Sequence, residues 1–184
     1  MKKTLLIVGG IAVLVVLYGF MAYNGLVGAN EQVDSQWAQV ETQYQRRFDL
    51  IPNLVESVKG IMKQEQTIFT ALAEARTHYS GAQTVDQKAA AAGEVESALG
   101  RLLVITENYP QLKSSENVQT LMSQLEGTEN RISVERKRFN DMVQGYNLKI
   151  KTLPSSIIAS MTGFKEHEYF QSISGSETAP KVEF

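Results

Sequence analysis

"RRFDLIPNLV", residues 46–55, decides how this chain folds. Two arginines, an aspartate and a proline stand where an amphipathic helix would carry a clean apolar stripe. Either the chain breaks here into two helices, or one long helix runs through with a polar rung in it. Counting outward in alternate steps of four and three separates the options. From Val33 the series runs Trp37, Val40, Tyr44, Arg47, Ile51, Leu54, Val58, Ile61, Glu65, Ile68, Leu72, Ala75 and Tyr79. Heptad spacing of this kind keeps one stripe facing a partner. A break at Pro52 would give the phase no reason to survive. The preferred reading is one continuous helix bent at Pro52. There the ring removes a ladder bond and presses on the Phe48 carbonyl, at about 3 kcal/mol. The alternative caps a new helix at Asp49 or Ile51 and places Pro52 in its first turn, where proline is tolerated.

Arg47 and Glu65 are the charged members of that stripe. A charge on a core face must extend its head to water, pair inside the bundle and fix its register, or serve a site. Matching heights from each turn sets Glu65 level with Arg101. It sets Arg76 near Glu135 or Arg136, and Arg47 toward the corner that holds Glu107.

Upstream, residues 5–23, "LLIVGGIAVLVVLYGFMAY", contain no charge. A spanning helix needs about 20 such residues. A cleaved signal peptide is the competing reading, with Val27 and Ala29 as small residues before a cut. Signal cores usually run about 7–15 residues, so the longer stretch favours a retained anchor in membrane lipid. Tyr18, Phe20 and Tyr23 near its outer end suit an interfacial aromatic belt. Lys2 and Lys3 precede the stretch, and the next basic residue is Arg46. The more basic flank stays inside. The expectation is a single-pass protein of the bacterial inner membrane with its soluble domain outside.

Downstream, "HYSGAQTVD" at 78–86 ends the first soluble helix. A second helix follows at about 86–108, with Val95, Leu99, Leu102, Ile105 and Tyr109 as its stripe. "ENYPQLKSSEN" forms a corner, since Tyr109 before a proline is pushed from helical geometry. Ser114 or Ser115 can cap a third helix at about 115–150. Its stripe runs Val118, Leu121, Leu125, Thr128, Ile132, Glu135, Phe139, Met142, Tyr146 and Ile150. "ERKRFN" at 135–140 reads mostly as a solvated face. A short apolar helix begins at Pro154 and is closed by Gly163. The polar tail ends in Val182 and Phe184, an alternation that suits strand addition to a partner as well as a self-docking tail. The fold class is therefore all-α, an N-terminal transmembrane helix followed by an antiparallel bundle of long helices. The divisions are an anchor at 1–28, a bundle at 29–163 and a tail at 164–184.

Bulk composition narrows the chemistry. Net charge is −2 over 184 residues, so nothing electrostatic points to nucleic acid. The chain has no cysteine and 2 histidines, too few and too far apart for the usual zinc spacings. It contains no Gly-rich phosphate loop, HExxH or GxSxG. No cofactor is expected. His78 sits at a helix end, where the helix dipole explains it.

Several short pieces then fall into a recognisable order. "YNGLV" follows the apolar span, and after it come "RRFDLIPNLV", "AR" at 75–76, "ENYPQL" and "ENRISVERKRFN". "YN" at 146–147, "LP" at 153–154 and the closing "VEF" complete the series. Together they resemble the LemA family of bacterial membrane-anchored proteins, from about Tyr23 to Phe184. The resemblance implies an N-terminal membrane helix, a soluble bundle of long antiparallel helices and no assigned enzymatic activity. It also implies a domain on the inner side, the reverse of the charge argument. The family motifs fall on Arg47, Asp49, Asn53, Arg76, Glu107, Tyr109, Glu129, Arg136, Arg138, Asn140 and Asn147. With Glu65 and Arg101, these are the candidates for polar layers that set bundle register or self-contacts. Asn140 and Asn147 lie seven apart, on one helix face. The expected role is a non-enzymatic membrane scaffold that associates with copies of itself or with another envelope protein. A receptor or adaptor, binding a ligand or envelope protease through its bundle or C-terminal peptide, is the alternative.

Overall fold

The computed structural model describes residues 2–170; Val182 and Phe184 lie outside the described residues. Described residues form α1 (Lys2–Lys59), α2 (Gln66–Gly81), α3 (Val85–Thr106), α4 (Pro110–Lys113), α5 (Glu116–Lys151) and α6 (Ser155–Thr162). The fold is all-α, with a long apolar N-terminal helix ahead of further helices, as the patterning implies.

α1 passes through Pro52 without a break, so "RRFDLIPNLV" is helical throughout. A proline in a helix interior costs about 3 kcal/mol. Ile51, Leu54 and Val58 are buried around it. Each such side chain gains about 1.5–3 kcal/mol from burial, so the packed face outweighs the lost bond.

The stripe from Val33 to Tyr79 does not, however, lie on one helix. α1 ends at Lys59, and residues 60–65 connect it to α2. Lys59 followed by Gly60 is a helix-stop signature, a basic last turn and then the residue least suited to continue a helix. The register slips there. Met62 is fully buried while Ile61 is 38% exposed. Glu65 stands at the N-cap position of α2 rather than on a core face. The stripe resumes in α2 with buried Ile68, Leu72 and Ala75.

Residues 82–84 turn the chain from α2 into α3. Thr84 caps α3 reciprocally: Gln87 N donates to Thr84 Oγ1 at 3.2 Å, and Thr84 N donates to Gln87 Oε1 at 3.3 Å. So short a connection makes an antiparallel pair. Ile68, Leu72 and Ala75 share the core with Ala91, Ala92, Val95, Ala98 and Leu102. After α3, Tyr109 takes φ −119 and ψ 86 ahead of Pro110, which starts α4.

Two compact units result. The first comprises Met1–Gln39 and Lys137–Tyr169. Its core holds Leu26, Ala29 and Val33 from α1 and Phe139, Val143 and Tyr146 from α5. Trp37 meets Phe139 edge-on at 5.3 Å. α6 closes at Gly163, φ +82, where Gly163 N and Phe164 N both donate to the Ala159 carbonyl at 3.0 and 3.1 Å. That left-handed position is the one a glycine fills without strain. In the same unit the large apolar side chains of residues 5–23 are exposed, and the most apolar window is uncovered.

The second unit comprises Val40–Arg136 with Phe170. Here α1 and α5 run antiparallel: Tyr44 reaches Arg136, and Arg47, further along α1, reaches Glu129, earlier on α5.

Candidate functional site

A polar cluster lies inside the second unit. Tyr44 and Arg47 stand three residues apart on α1, hence on one face. Both are buried, at 0% and 1% exposure. α5 supplies Glu129 and Arg136, and α3 supplies Glu96. Arg47 forms an ion pair with Glu129. Arg136 Nε donates to the Tyr44 hydroxyl at 3.0 Å. Arg136 Nη2 stands 3.6 Å from Glu96 Oε2, a charge contact too long for a hydrogen bond. The Arg136 guanidinium also lies 5.5 Å from the Tyr44 ring and 4.6 Å from Phe170. Tyr79 of α2 packs on Phe48 at 4.4 Å and on Tyr44 at 5.5 Å.

The cluster is electrostatically costly. Burial pulls the Arg47 guanidinium below the usual arginine range, to about 10; Arg136 pulls the same way, and Glu96 and Tyr44 oppose it. Arg47 stays charged at neutral pH. Burial raises Tyr44 above 10.0, against the charge and hydrogen bond of Arg136. Burial likewise raises Tyr79, with Glu41 and Tyr44 adding to it. These hydroxyls remain neutral hydrogen-bonding groups rather than nucleophiles. Arg47 Nη2 is taken by Glu129, whereas Arg47 Nη1 and Glu96 Oε2 have no hydrogen-bond partner among the described residues.

Arg47, Glu96 and Glu129 also line a cavity of about 1000 Å³, with Leu54, Leu99, Leu102, Leu103, Val118, Met122 and Leu125 among its apolar walls. Ligand sites of this kind run to about 300–1,000 Å³, mostly apolar with a few convergent polar groups.

The remaining expected residues scatter. Asp49 is exposed and accepts from Gln45 Nε2 at 2.8 Å. Asn53 is exposed, and its carbonyl accepts from Ser57 Oγ at 2.7 Å. Glu65 does not pair with Arg101; the two border a second, shallow depression, and the Tyr109 hydroxyl lies 3.5 Å from Glu65 Oε1. The end of α1 at Lys59 takes Glu65 out of the helical register that the height match assumed. Arg47 meets Glu129 rather than Glu107, because α5, not the α3–α4 corner, lies alongside it. Glu107 is exposed at the C-cap of α3, and Arg76 is exposed on α2, while Arg136 is engaged by Tyr44 and Glu96. Arg138 is exposed and Asn140 half-buried in the first unit, both with interactions of their own. His78 meets Glu94 at 2.7 Å.

Asn147 has a different task. It is buried, and its amide grips the backbone of His167: Asn147 Nδ2 donates to His167 O at 2.8 Å, and His167 N donates to Asn147 Oδ1 at 3.0 Å. The Tyr146 hydroxyl donates to Lys165 O at 2.9 Å, and His167 Nε2 lies 2.8 Å from Asn30 Oδ1. These bonds fasten the segment after Gly163 to α5 and α1.

The LemA family model matches residues 36–184, which include every member of the polar cluster. The chain belongs to the LemA family. Two relatives of this LemA-family chain are magnetosome proteins MamQ 2 and MamQ 1 of Paramagnetospirillum magneticum. Each is 30% identical over 184 residues, covering 86% of this chain and 68% of the relative. Magnetosome protein MamQ of Magnetospirillum gryphiswaldense is 29% identical with the same coverage. Tyr44, Glu96, Tyr79 and Phe48 are the site residues that sequence reasoning missed, the two tyrosines reading only as members of the apolar stripe. Glu96 flanks the apolar stripe of α3 one step from Val95, where an ordinary solvated glutamate looks the same. No group of three His, Asp or Glu side chains suited to a metal occurs among the described residues.

Proposed function

We propose that this LemA-family chain is a non-enzymatic, membrane-anchored helical scaffold that works by association. The observation that carries the reading is α1 itself, an uncovered apolar stretch that continues without a break into the buried face of a bundle. Residues 1–28 serve as anchor, 29–163 as the bundle and 164–184 as a tail, with 5–23 in lipid. The two N-terminal lysines set the anchor in the bacterial inner membrane with the bundle outside. The polar cluster holds arginines and neutral tyrosines in a structural network, and no side chain is poised as base or nucleophile. Exposed Leu103, Val104 and Val134 offer apolar contacts to another copy or to a second membrane protein. Arg47, Glu129, Arg136 and Asn147 act as the register-setting polar residues.

The test combines protease accessibility in intact and lysed cells with crosslinking from Val104→Cys, a unique thiol in a cysteine-free chain. Self-crosslinks or one recurrent membrane-protein partner support the reading. A monomer at every concentration with no crosslinked partner overturns it. Digestion of the domain only after lysis reverses the orientation. Deleting Lys181 to Phe184 without changing the partners removes Val182 and Phe184 from the interface.

One observation favours a receptor as second reading: the nearly fully buried Arg47 faces an apolar cavity with Nη1 unpartnered. The matching ligand is a long-chain amphiphile whose compact head accepts a hydrogen bond from Arg47. Photocrosslinking a diazirine-bearing monoacylglycerol to the full chain in nanodiscs should label Leu102 and Met122. Labelling unchanged by Arg47→Met and by Met122→Trp would dismiss it.

A further inference from the structure

Residues 152–164 carry no charge and are bounded by Lys151 and Lys165. α6 lies within this run and packs on α1 in the first unit. Ile158 Cδ1 comes within 3.8 Å of where a Cβ on Gly19 would stand, and Phe164 meets Tyr23 at 5.9 Å. Gly19 and Tyr23 belong to the last turn of the apolar stretch at 5–23. At 1.5 Å per residue, Gly19 lies about 6 Å below Tyr23 along the helix axis. α6 therefore sits beside the outer end of the anchor, at the depth where hydrocarbon gives way to headgroups.

Its free side is apolar. Leu153 is 77% exposed, Ile157 54% and Met161 78%. Spacing by four puts Ile157 and Met161 on one face of α6, with Leu153 just ahead of it. Large apolar side chains left open beside an anchor match the lipid boundary better than water. The flanking lysines match it too, since lysine stems lie along apolar surface while their heads reach the headgroup layer. Lys151 also pairs with Glu166 at 2.6 Å, both groups exposed.

We infer that α6 is an interfacial membrane helix, with Ile157 and Met161 set among the outer acyl chains of the bilayer next to Gly19 and Tyr23. Such helices bury their apolar face about 5–10 Å into the boundary between headgroups and acyl chains. The bundle is then tied to the membrane at two points of the sequence, which restrains its tilt on the anchor. The inference rests on the anchor reading proposed above.

The absence of cysteine makes the test direct. Ile157→Cys, Met161→Cys, Leu14→Cys and Gln144→Cys are each spin-labelled in the full chain, reconstituted in phosphatidylcholine–phosphatidylglycerol nanodiscs. Collisional relaxation by oxygen, which partitions into lipid, is compared with that by a water-soluble nickel complex. All four positions are exposed, so retained helical circular dichroism checks the fold. The expected result is that oxygen dominates at 157 and 161 as it does at 14, with the order reversed at 144. Nickel dominating at 157 and 161 while oxygen dominates at 14 overturns the inference and leaves the anchor standing. Nickel dominating at 14 overturns both. Mutual broadening of labels at 157 or 161, with access to neither relaxant, assigns the face to a second copy and also overturns it.

Discussion

Replacing Arg47 with methionine should stabilise the protein, although it removes a charge-paired side chain from the middle of the bundle. The residue is 1% exposed, and burial pulls its guanidinium below the usual arginine range, to about 10. That drop corresponds to about 3 kcal/mol disfavouring the charged form. Breaking a buried pair usually costs about 3–5 kcal/mol because the abandoned partner stays buried and charged. Here the partners are not sealed in. The Glu129 side chain is 39% exposed and that of Glu96 is 42% exposed. Glu129 keeps much of its hydration when the arginine goes, and pairs with so exposed a partner are worth about 0–1 kcal/mol, while Glu96, whose Oε2 is buried, still has Arg136 beside it. Methionine retains most of the stem's volume beside Leu54 and Leu102 and brings no polar atom that needs satisfying. The net expectation is a gain of about 1–3 kcal/mol. In a chain of this size each kcal/mol moves the midpoint by about 2–4 °C.

Thermal and urea unfolding of the full chain in nanodiscs measures this, with Arg47→Ala as the contrast. Alanine removes the same charge but leaves a cavity, at about 2–4 kcal/mol for a side chain of this length. It should therefore fall well below methionine. A loss of more than about 2 kcal/mol for Arg47→Met would refute the reasoning, because the pair with Glu129 would then outweigh the desolvation of the guanidinium. A gain would mean that the natural chain keeps Arg47 at a cost to stability. Side chains that weaken the fold are the ones to suspect of function.

Asn147→Ala should cost about 1–3 kcal/mol, since it leaves the His167 amide without its acceptor; hydrogen exchange at His167 should accelerate while that of α3 does not. Gly163→Ala should cost about 1–2 kcal/mol from backbone strain alone, because φ is +82 and nothing stands within 4 Å of the added Cβ; Gly163→Asn, measured by the same unfolding midpoint, should cost less. Alkaline pH should destabilise the chain through Tyr44, Tyr79 and Tyr146, all raised chiefly by burial. The folded state keeps those protons while the unfolded chain loses them from pH 10 upward, so stability falls as pH climbs past 10. Arg47, lowered to about 10, works in the opposite sense from there upward, which makes Tyr79→Phe the clean variant: its urea midpoint should fall less steeply above pH 10 than the parent's.

The sequence was most readable where one local rule and the packing agreed. Pro52 looked like a break by propensity, but the stripe on either side of it predicted continuity, and burial of Ile51, Leu54 and Val58 upholds that. At Gly60 the same periodicity misled. Val58 and Ile68 are ten residues apart, a spacing that preserves a heptad phase whether the interval is helix or loop. Lys59–Gly60 carried the stop signal, and the longer pattern masked it. Height matching fails for Glu65 for the same reason, since residues beyond Gly60 take a level on a helix that has already ended; for Arg47 it fails because α5, not the α3–α4 corner, lies alongside. α6 was legible from Pro154 and Gly163 because each end has its own backbone chemistry. Its seat against Gly19 was not, because that contact joins residues far apart in sequence and involves a side chain of one hydrogen.

Asn147 and Arg47 stood together as candidate register residues, and their surroundings now separate them. Asn147 is buried with both ends of its amide engaged by one backbone unit. A buried amide engaged at both its nitrogen and its oxygen by one backbone unit specifies structure. Arg47 is as deeply buried, yet its Nη1 has no hydrogen-bond partner among the described residues, and the side chain borders a cavity. Buried donors are satisfied in the great majority of proteins, and each exception calls for a reason. Glu129, the nearest available carboxylate, is half open to water and free to exchange one partner for another. An incoming acceptor can therefore take the guanidinium without stranding a charge. That asymmetry makes Arg47 the residue at which an association of this bundle, with a ligand or with another chain, is most sensitively read by mutation.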